Sequence, residues 1–162
     1  MIFNGGLNLL ENKVIIHYLR KLLSEGQLVR IEVVGNSMFP LLEFGDNIDV
    51  QRKSEYKNGD VIVFLFEEQK LIVHRLLFKY NGYFYCKGDN SFRLEMVNPD
   101  AVLGCVKRII RKDVEIDIPT VSKDFIKQSL KLNLAYQECG YNKEVLMRSE
   151  IYELYAKTYL EK

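Results

Sequence analysis

The sequence predicts an α+β protein: a mainly antiparallel β core with one helix before it and a helical pair after it. Three observations predict this. Apolar residues recur with a period of two between Leu28 and Ile118, the spacing of strands that show alternate faces. Turn pairs punctuate the same region, and Asn81-Gly82 is its strongest short-range hairpin signal. Outside it, residues 7–25 and 123–161 carry the helical period instead. The chain therefore divides into an N-terminal helix within residues 1–26, a β core over 27–120 and a helical extension over 121–162.

Each element has its own justification. In the first helix Leu7, Leu10, Val14, Leu19, Leu22 and Leu23 fall roughly at helical spacing, and Gly26 is placed to stop it. Its polar side is mixed in sign and not rich in lysine, which favours packing on the core over lying in a bilayer. Val29, Ile31 and Val33 then alternate with polar neighbours as a strand that runs into a turn at residues 35–40. Gly45-Asp46 leads to a short strand at residues 47–50. Asn58-Gly59-Asp60 opens Val61–Phe66, a run apolar on both faces and therefore central. After the polar reversal Glu67–Lys70 the chain returns over Leu71–Phe78, and Asn81-Gly82 passes it to Tyr83–Cys86.

Residues 91–100 read as irregular, and strands resume at residues 102–111. Residues 113–118 alternate strictly, as a half-buried edge strand does, and Pro119 ends them. The extension reads as two helices, 123–139 and 143–161, joined at Gly140 with Asn142 as N-cap. Ile151, Leu154, Tyr155 and Tyr159 line one face of the second. These helices cover the β core, or, given Tyr136, Tyr141, Tyr152, Tyr155 and Tyr159, form a docking arm for a partner or substrate.

Bulk composition narrows the function classes. The chain has 162 residues, 48% apolar and 28% charged, which suits one ordinary globular domain. Its net charge of +1 gives no reason to expect nucleic acid or an acidic membrane as the main partner. Cys86, Cys105 and Cys139 are widely spaced and form no Cys-x-x-Cys pair, so no metal or redox cofactor is expected. They fit a reducing, cytoplasmic compartment, with peripheral attachment to a membrane left open. Residues 1–20 carry Asn4, Asn8, Glu11, Asn12 and His17 where a signal peptide needs an apolar run. The apolar run Val61–Phe66 is far short of the roughly 18 residues of a membrane span, so a soluble protein is expected.

The turn at Gly35-Asn36-Ser37-Met38-Phe39-Pro40 is the first candidate site. Gly35 permits a backbone conformation denied to other residues, and Pro40 prevents the strand from continuing. Ser37 is held on the bend between them, with the N–H groups around Gly35, Asn36 and Met38 free to point at a developing oxyanion. A serine in a turn is ordinarily only a turn residue, so the downstream sequence decides. His74 lies on a strand face shared with Ile72, Leu76 and Phe78, where a neutral imidazole can accept a proton. The alternative is a core histidine bonded to a backbone carbonyl. Asp89, in Lys87-Gly88-Asp89-Asn90, could accept a hydrogen bond from the second imidazole nitrogen and fix its tautomer. Equally, it could form a simple Asx-turn, and Glu95 is a competing carboxylate.

Taken together, four stretches resemble the successive motifs of the type I signal peptidase superfamily, which includes the self-cleaving SOS-repressor peptidases. They are Gly35–Pro40, Gly59-Asp60-Val61-Ile62-Val63-Phe64, Val73-His74-Arg75 and Lys87-Gly88-Asp89-Asn90, in that order, within residues 29–110. The histidine at position 74 resembles the archaeal, endoplasmic-reticulum and sporulation-type branch, where histidine replaces a lysine base. The resemblance implies long coiled antiparallel strands, Ser37 as nucleophile, His74 as base and an acidic partner, either Asp89 or Glu95. It also implies small side chains before the scissile bond. A membrane anchor is not expected, nor is a repressor's DNA-binding domain, since only residues 1–27 precede the first strand.

The expected function is a serine endopeptidase that cuts a peptide or protein precursor, for example a leader peptide, through an acyl-enzyme. A regulator that cuts itself, at Gly5-Gly6 or Ser24-Glu25-Gly26, is one alternative. A peptidase fold kept as a binding module is another.

Overall fold

The computed structural model describes residues 9–67 and 70–161. Helix α1 (Leu9–Ser24) leads, ended by Gly26 at φ 78°. The expected position Leu7 lies outside the described residues. Eight strands follow: β1 (Val29–Glu32), β2 (Asn47–Gln51), β3 (Val61–Phe66), β4 (Lys70–Tyr80), β5 (Tyr83–Lys87), β6 (Glu95–Val97), β7 (Val102–Arg111) and β8 (Val114–Asp117). The chain closes with α2 (Lys123–Glu138), α3 (Lys143–Met147), α4 (Glu150–Tyr155) and a π-helical turn at Ala156–Leu160.

The strands form one curled antiparallel sheet in the order β1-β2-β7-β3-β4-β5-β6, with β8 pairing the second half of β7, Arg108–Arg111, beyond the stretch that β3 pairs. The apolar run β3 sits between β4 and β7, and Val61–Phe64 are fully buried, as a run with no polar face requires. Asn81 and Gly82 take φ 49° and 80°, the two left-handed positions of a tight hairpin turn joining β4 to β5. One sheet face packs under α1 in a core that includes Leu23, Ile31, Val61, Val63 and Val73. The other carries Ile62, Phe64, Leu76, Cys86 and Val97. A third cluster, centred on Phe125, Leu132, Tyr136, Leu146 and Tyr155, belongs to the C-terminal helices and reaches Phe92 and Val121.

Two expectations need correction. Residues 91–100 are not wholly irregular, because β6 pairs with β5 through Phe84↔Val97, Tyr85↔Met96 and Cys86↔Glu95. Three residues are too few to show alternation. The second C-terminal helix is not continuous either. Asn142 caps α3 as expected, its side chain accepting from the N–H groups of Glu144 and Val145, but the helix stops at Arg148. There Ser149 competes for the backbone, accepting from the Tyr152 N–H and starting α4 afresh.

Candidate active site

The serine turn leaves the edge strand β1 and closes back on it. Gly35 takes φ 125°, a region that residues with side chains rarely adopt. Val33 stays in the sheet's hydrogen-bonding pattern, donating to the Asp46 carbonyl and accepting from Gly45. Phe39 N–H donates to the Asn36 carbonyl and Leu42 N–H to the Met38 carbonyl, so the turn is wound tightly around Ser37. Met38 points into the core at 3% exposure and anchors the turn, while Asn36 lies on the surface. The Phe39–Pro40 bond is cis. The Ser37 and Met38 N–H groups donate to no acceptor among the described residues.

Strand β4 brings the imidazole to this turn. His74 sits opposite Ile62 on β3 and is 6% exposed, its ring edge-on to Phe64. Its Nε2 lies 3.1 Å from Ser37 Oγ, across 37 residues of sequence. Its Nδ1 lies 2.9 Å from Glu95 Oε2. Hydroxyl, imidazole and carboxylate thus form one hydrogen-bonded line, with both ring nitrogens engaged.

Asp89 is not the carboxylate in that line. It accepts from Arg75 at both oxygens, Nε to Oδ1 at 2.8 Å and Nη2 to Oδ2 at 2.6 Å. Strand parity explains the exchange. Arg75 pairs with Lys87 across the β4–β5 ladder, so Asp89, two residues past Lys87, lies on the Arg75 face. Leu76 pairs with Cys86, and Cys86 with Glu95, so Glu95 lies on the face of Leu76 and therefore of His74.

The Gly88–Asn90 loop serves the site by packing. A Cβ added to Gly88 would stand 2.5 Å from the Ser37 carbonyl oxygen and 2.9 Å from His74 Nε2, so no side chain fits. Asn90 N–H donates to the Ser37 carbonyl at 2.8 Å, and its side chain donates to the Asn36 carbonyl at 3.2 Å. Arg75 then ties this loop to the next motif, since its Nη1 donates to the Gly59 carbonyl at 2.9 Å. Sequence reasoning missed Arg75 and Gly88 as individual residues, although both stand inside stretches it had singled out.

The C-terminal helices reach the same loop from behind. Tyr155, 2% exposed, donates its hydroxyl to the Asp89 carbonyl at 2.8 Å. Its ring lies 5.3 Å from Lys87 Nζ, and the Phe125 ring lies 5.3 Å from the Arg75 guanidinium carbon. Lys87 is fully buried and donates to the Gly88 carbonyl; burial lowers its ammonium to about 8, against the pull of Asp89 and Glu95. Covering the core and touching the site are therefore the same act for these helices. His17, which the sequence left without a role, is exposed on α1, away from this line.

Among the described residues no group of three or more His, Cys, Asp or Glu side chains is placed to hold a metal ion. Cys86 and Cys105 are buried free thiols, both raised by burial, Cys105 to about 11. No helix among the described residues is long and apolar enough to cross a membrane.

Comparison with curated proteins finds no match. Comparison with protein families finds one described as Peptidase S24-like, over residues 6–107. That span takes in the serine turn, the imidazole strand, the Gly88–Asn90 loop and Glu95, and it is more than half of the chain. With these motifs carried on a curled antiparallel sheet, the chain belongs to the Peptidase S24-like family.

Proposed function

We propose that the protein is a serine endopeptidase of the histidine-using kind, working through Ser37, His74 and Glu95 on an extended peptide or precursor protein. The observation that carries this is the unbroken line from Ser37 Oγ through both ring nitrogens of His74 to Glu95 Oε2, at 3.1 and 2.9 Å. In that reading Ser37 Oγ attacks the scissile carbonyl carbon as Nε2 takes its proton. Glu95 accepts from Nδ1–H, holds the tautomer and stabilises the imidazolium. The Ser37 and Met38 N–H groups, uncommitted among the described residues, support a role as oxyanion donors. Collapse of the tetrahedral species passes the imidazolium proton to the leaving amine and leaves an acyl-enzyme. Water, deprotonated by the same imidazole, releases the acid. The outer edge of β1, which no other strand pairs among the described residues and which runs into the serine turn, offers a track for the substrate by strand addition. A leader peptide is one substrate of that form, and the buried free thiols suit a reducing cytoplasm.

Self-cleavage is less well supported. Gly5-Gly6 lies outside the described residues. Ser24-Glu25-Gly26 is wound into the helix end, with Gly26 N–H donating to Leu23 and Gln27 N–H to Leu22, not extended as a protease substrate must be. The test is labelling with a small fluorophosphonate probe beside intact-mass measurement. Wild type is expected to gain one probe mass, and Ser37→Ala and His74→Ala to gain none or lag by at least a hundredfold. Equal labelling of all three would end this reading, and spontaneous shortening of the unlabelled chain would move it to self-cleavage.

A further inference from the structure

The outward face of the helical extension carries an apolar hollow. α4 packs beside α2, and their inward faces, with Phe125, Leu132, Tyr136 and Tyr155, are taken up by the third core cluster. On the outward side Leu134 of α2 and Ile151 and Leu154 of α4 are 56%, 44% and 62% exposed. With Ala135, Lys131 and Glu138 they line a hollow of about 350 Å³. Apolar residues scattered singly on a surface are ordinary, but a contiguous group with a polar rim marks an interaction surface. None of Ser37, His74 and Glu95 lines this one, and all of it lies beyond the family-matched span.

The rim says what fits. Lys131 and Glu138 stand three residues before Leu134 and four after it, so all three share one face of α2. Neither charge is in an ion pair among the described residues. One cation and one anion, two helical turns apart, do not match an anionic membrane or a partner of a single sign. They match the same rim turned end for end.

The register follows from the numbers. Let a second α2 lie antiparallel across the first, about a two-fold axis between residues 134 and 135. Each residue then meets the one equally far beyond the axis on the other copy. Lys131 of each copy faces Glu138 of the other, so the pair forms twice. Leu134 of each copy faces Ala135 of the other, a small residue that lines the hollow and lets the helices approach. We propose that the protein forms a two-fold homodimer through this face, with the α2 helices antiparallel and Leu134 of each copy seated in the hollow of the other. Nothing in this dimer depends on Ser37, so it stands apart from the peptidase reading.

Sedimentation velocity on the full chain at about 1, 10 and 100 µM brackets a micromolar affinity. Wild type is expected to reach twice 19.0 kDa at the highest concentration. Leu134→Asp and Leu154→Glu, both at exposed positions, are expected to stay at 19.0 kDa throughout. The charge pair is read separately. Lys131→Glu and Glu138→Lys each set like charges against each other twice, and each is expected to raise the dimer Kd by at least about tenfold. The double variant Lys131→Glu/Glu138→Lys exchanges the two partners and is expected to return Kd to within about threefold of wild type. A dimer built on another surface, or with the helices parallel, gives no such rescue. A wild type that remains at 19.0 kDa at the highest concentration, apolar variants that dimerise like wild type, or a double variant no tighter than the single ones overturns the proposal.

Discussion

Glu95, bonded to the His74 imidazole, and Asp89, bonded to Arg75, should fail in different ways when neutralised. Glu95→Gln keeps the shape but removes the charge that would stabilise an imidazolium. Its expected effect is a loss of Ser37 labelling by about 10²–10⁴-fold with little change in urea stability. Asp89→Asn instead leaves Arg75, 2% exposed, without its bidentate counter-charge, and a broken buried pair costs about 3–5 kcal/mol. Urea denaturation and probe labelling on both variants separate the two outcomes, and a stable, unlabelled Asp89→Asn would reverse the assignment. The serine and the histidine were legible in the sequence because each stands in a motif with its own turn or strand chemistry. The carboxylate was not, because choosing it requires the parity of β5 and β6. Asp89 suggested itself because it stands at the end of the strand that pairs, through Asn81-Gly82, with the strand carrying His74, yet one residue along a strand is a change of face.

Among the elements, strands and hairpins were legible where apolar and polar residues alternated, as in β1 and β8, where a short run was apolar on both faces, as in β3, or where Asn-Gly fixed a turn. The short β6 was not, since its three residues are specified by the β5 edge they meet and not by their own pattern. The C-terminal helices were legible as helices, but their contact with the site was not. Tyr155 belongs to an apolar face like any core tyrosine, and nothing local says that its hydroxyl ends on the Asp89 carbonyl. That hydrogen bond makes the extension a brace for the Gly88–Asn90 loop, which in turn holds the Ser37 carbonyl. Tyr155→Phe keeps the ring over Lys87 and deletes the one donor. It should cost about 0.5–1.5 kcal/mol, and it should slow Ser37 labelling by more than that global loss accounts for. Hydrogen exchange at the Asn90 amide is the matching readout, and an amide protected equally in both proteins would show that the loop needs no brace.

At the scale of the molecule, buried charge should shape stability at both ends of the pH range. Asp49 is 1% exposed between Arg30 and Arg108, and bonding to Arg30 lowers its carboxyl, against burial and with the help of Arg108. Burial raises Asp46, but Arg111 and the Glu43 N–H outweigh it, so it too ends below the usual carboxylate range. A carboxylate lowered by folding contributes stability that is fully present above its unfolded value, near 4, and is lost as pH falls through the folded value. Unfolding free energy should therefore drop below about pH 4, and Asp49→Asn should flatten that drop while lowering stability at neutral pH. Lys87 acts with the opposite sign of cost. Its ammonium, faced by Asp89, Glu95 and Arg75, falls from 10.5 to about 8 on folding. Between about pH 8 and 10 the unfolded chain binds the extra proton, so stability should rise with pH, by up to about 1.4 kcal/mol per unit. Above about 10 the rise should end, because burial raises the Tyr155 hydroxyl and the unfolded tyrosine ionises first. Lys87→Met, which retains the stem in the same apolar slot, should be more stable than wild type at pH 7 and show no alkaline rise. Urea melts of the two proteins at pH 7, 8, 9 and 10 decide it, and parallel profiles would mean that Lys87 keeps its proton throughout, held by the Gly88 carbonyl and the Tyr155 ring.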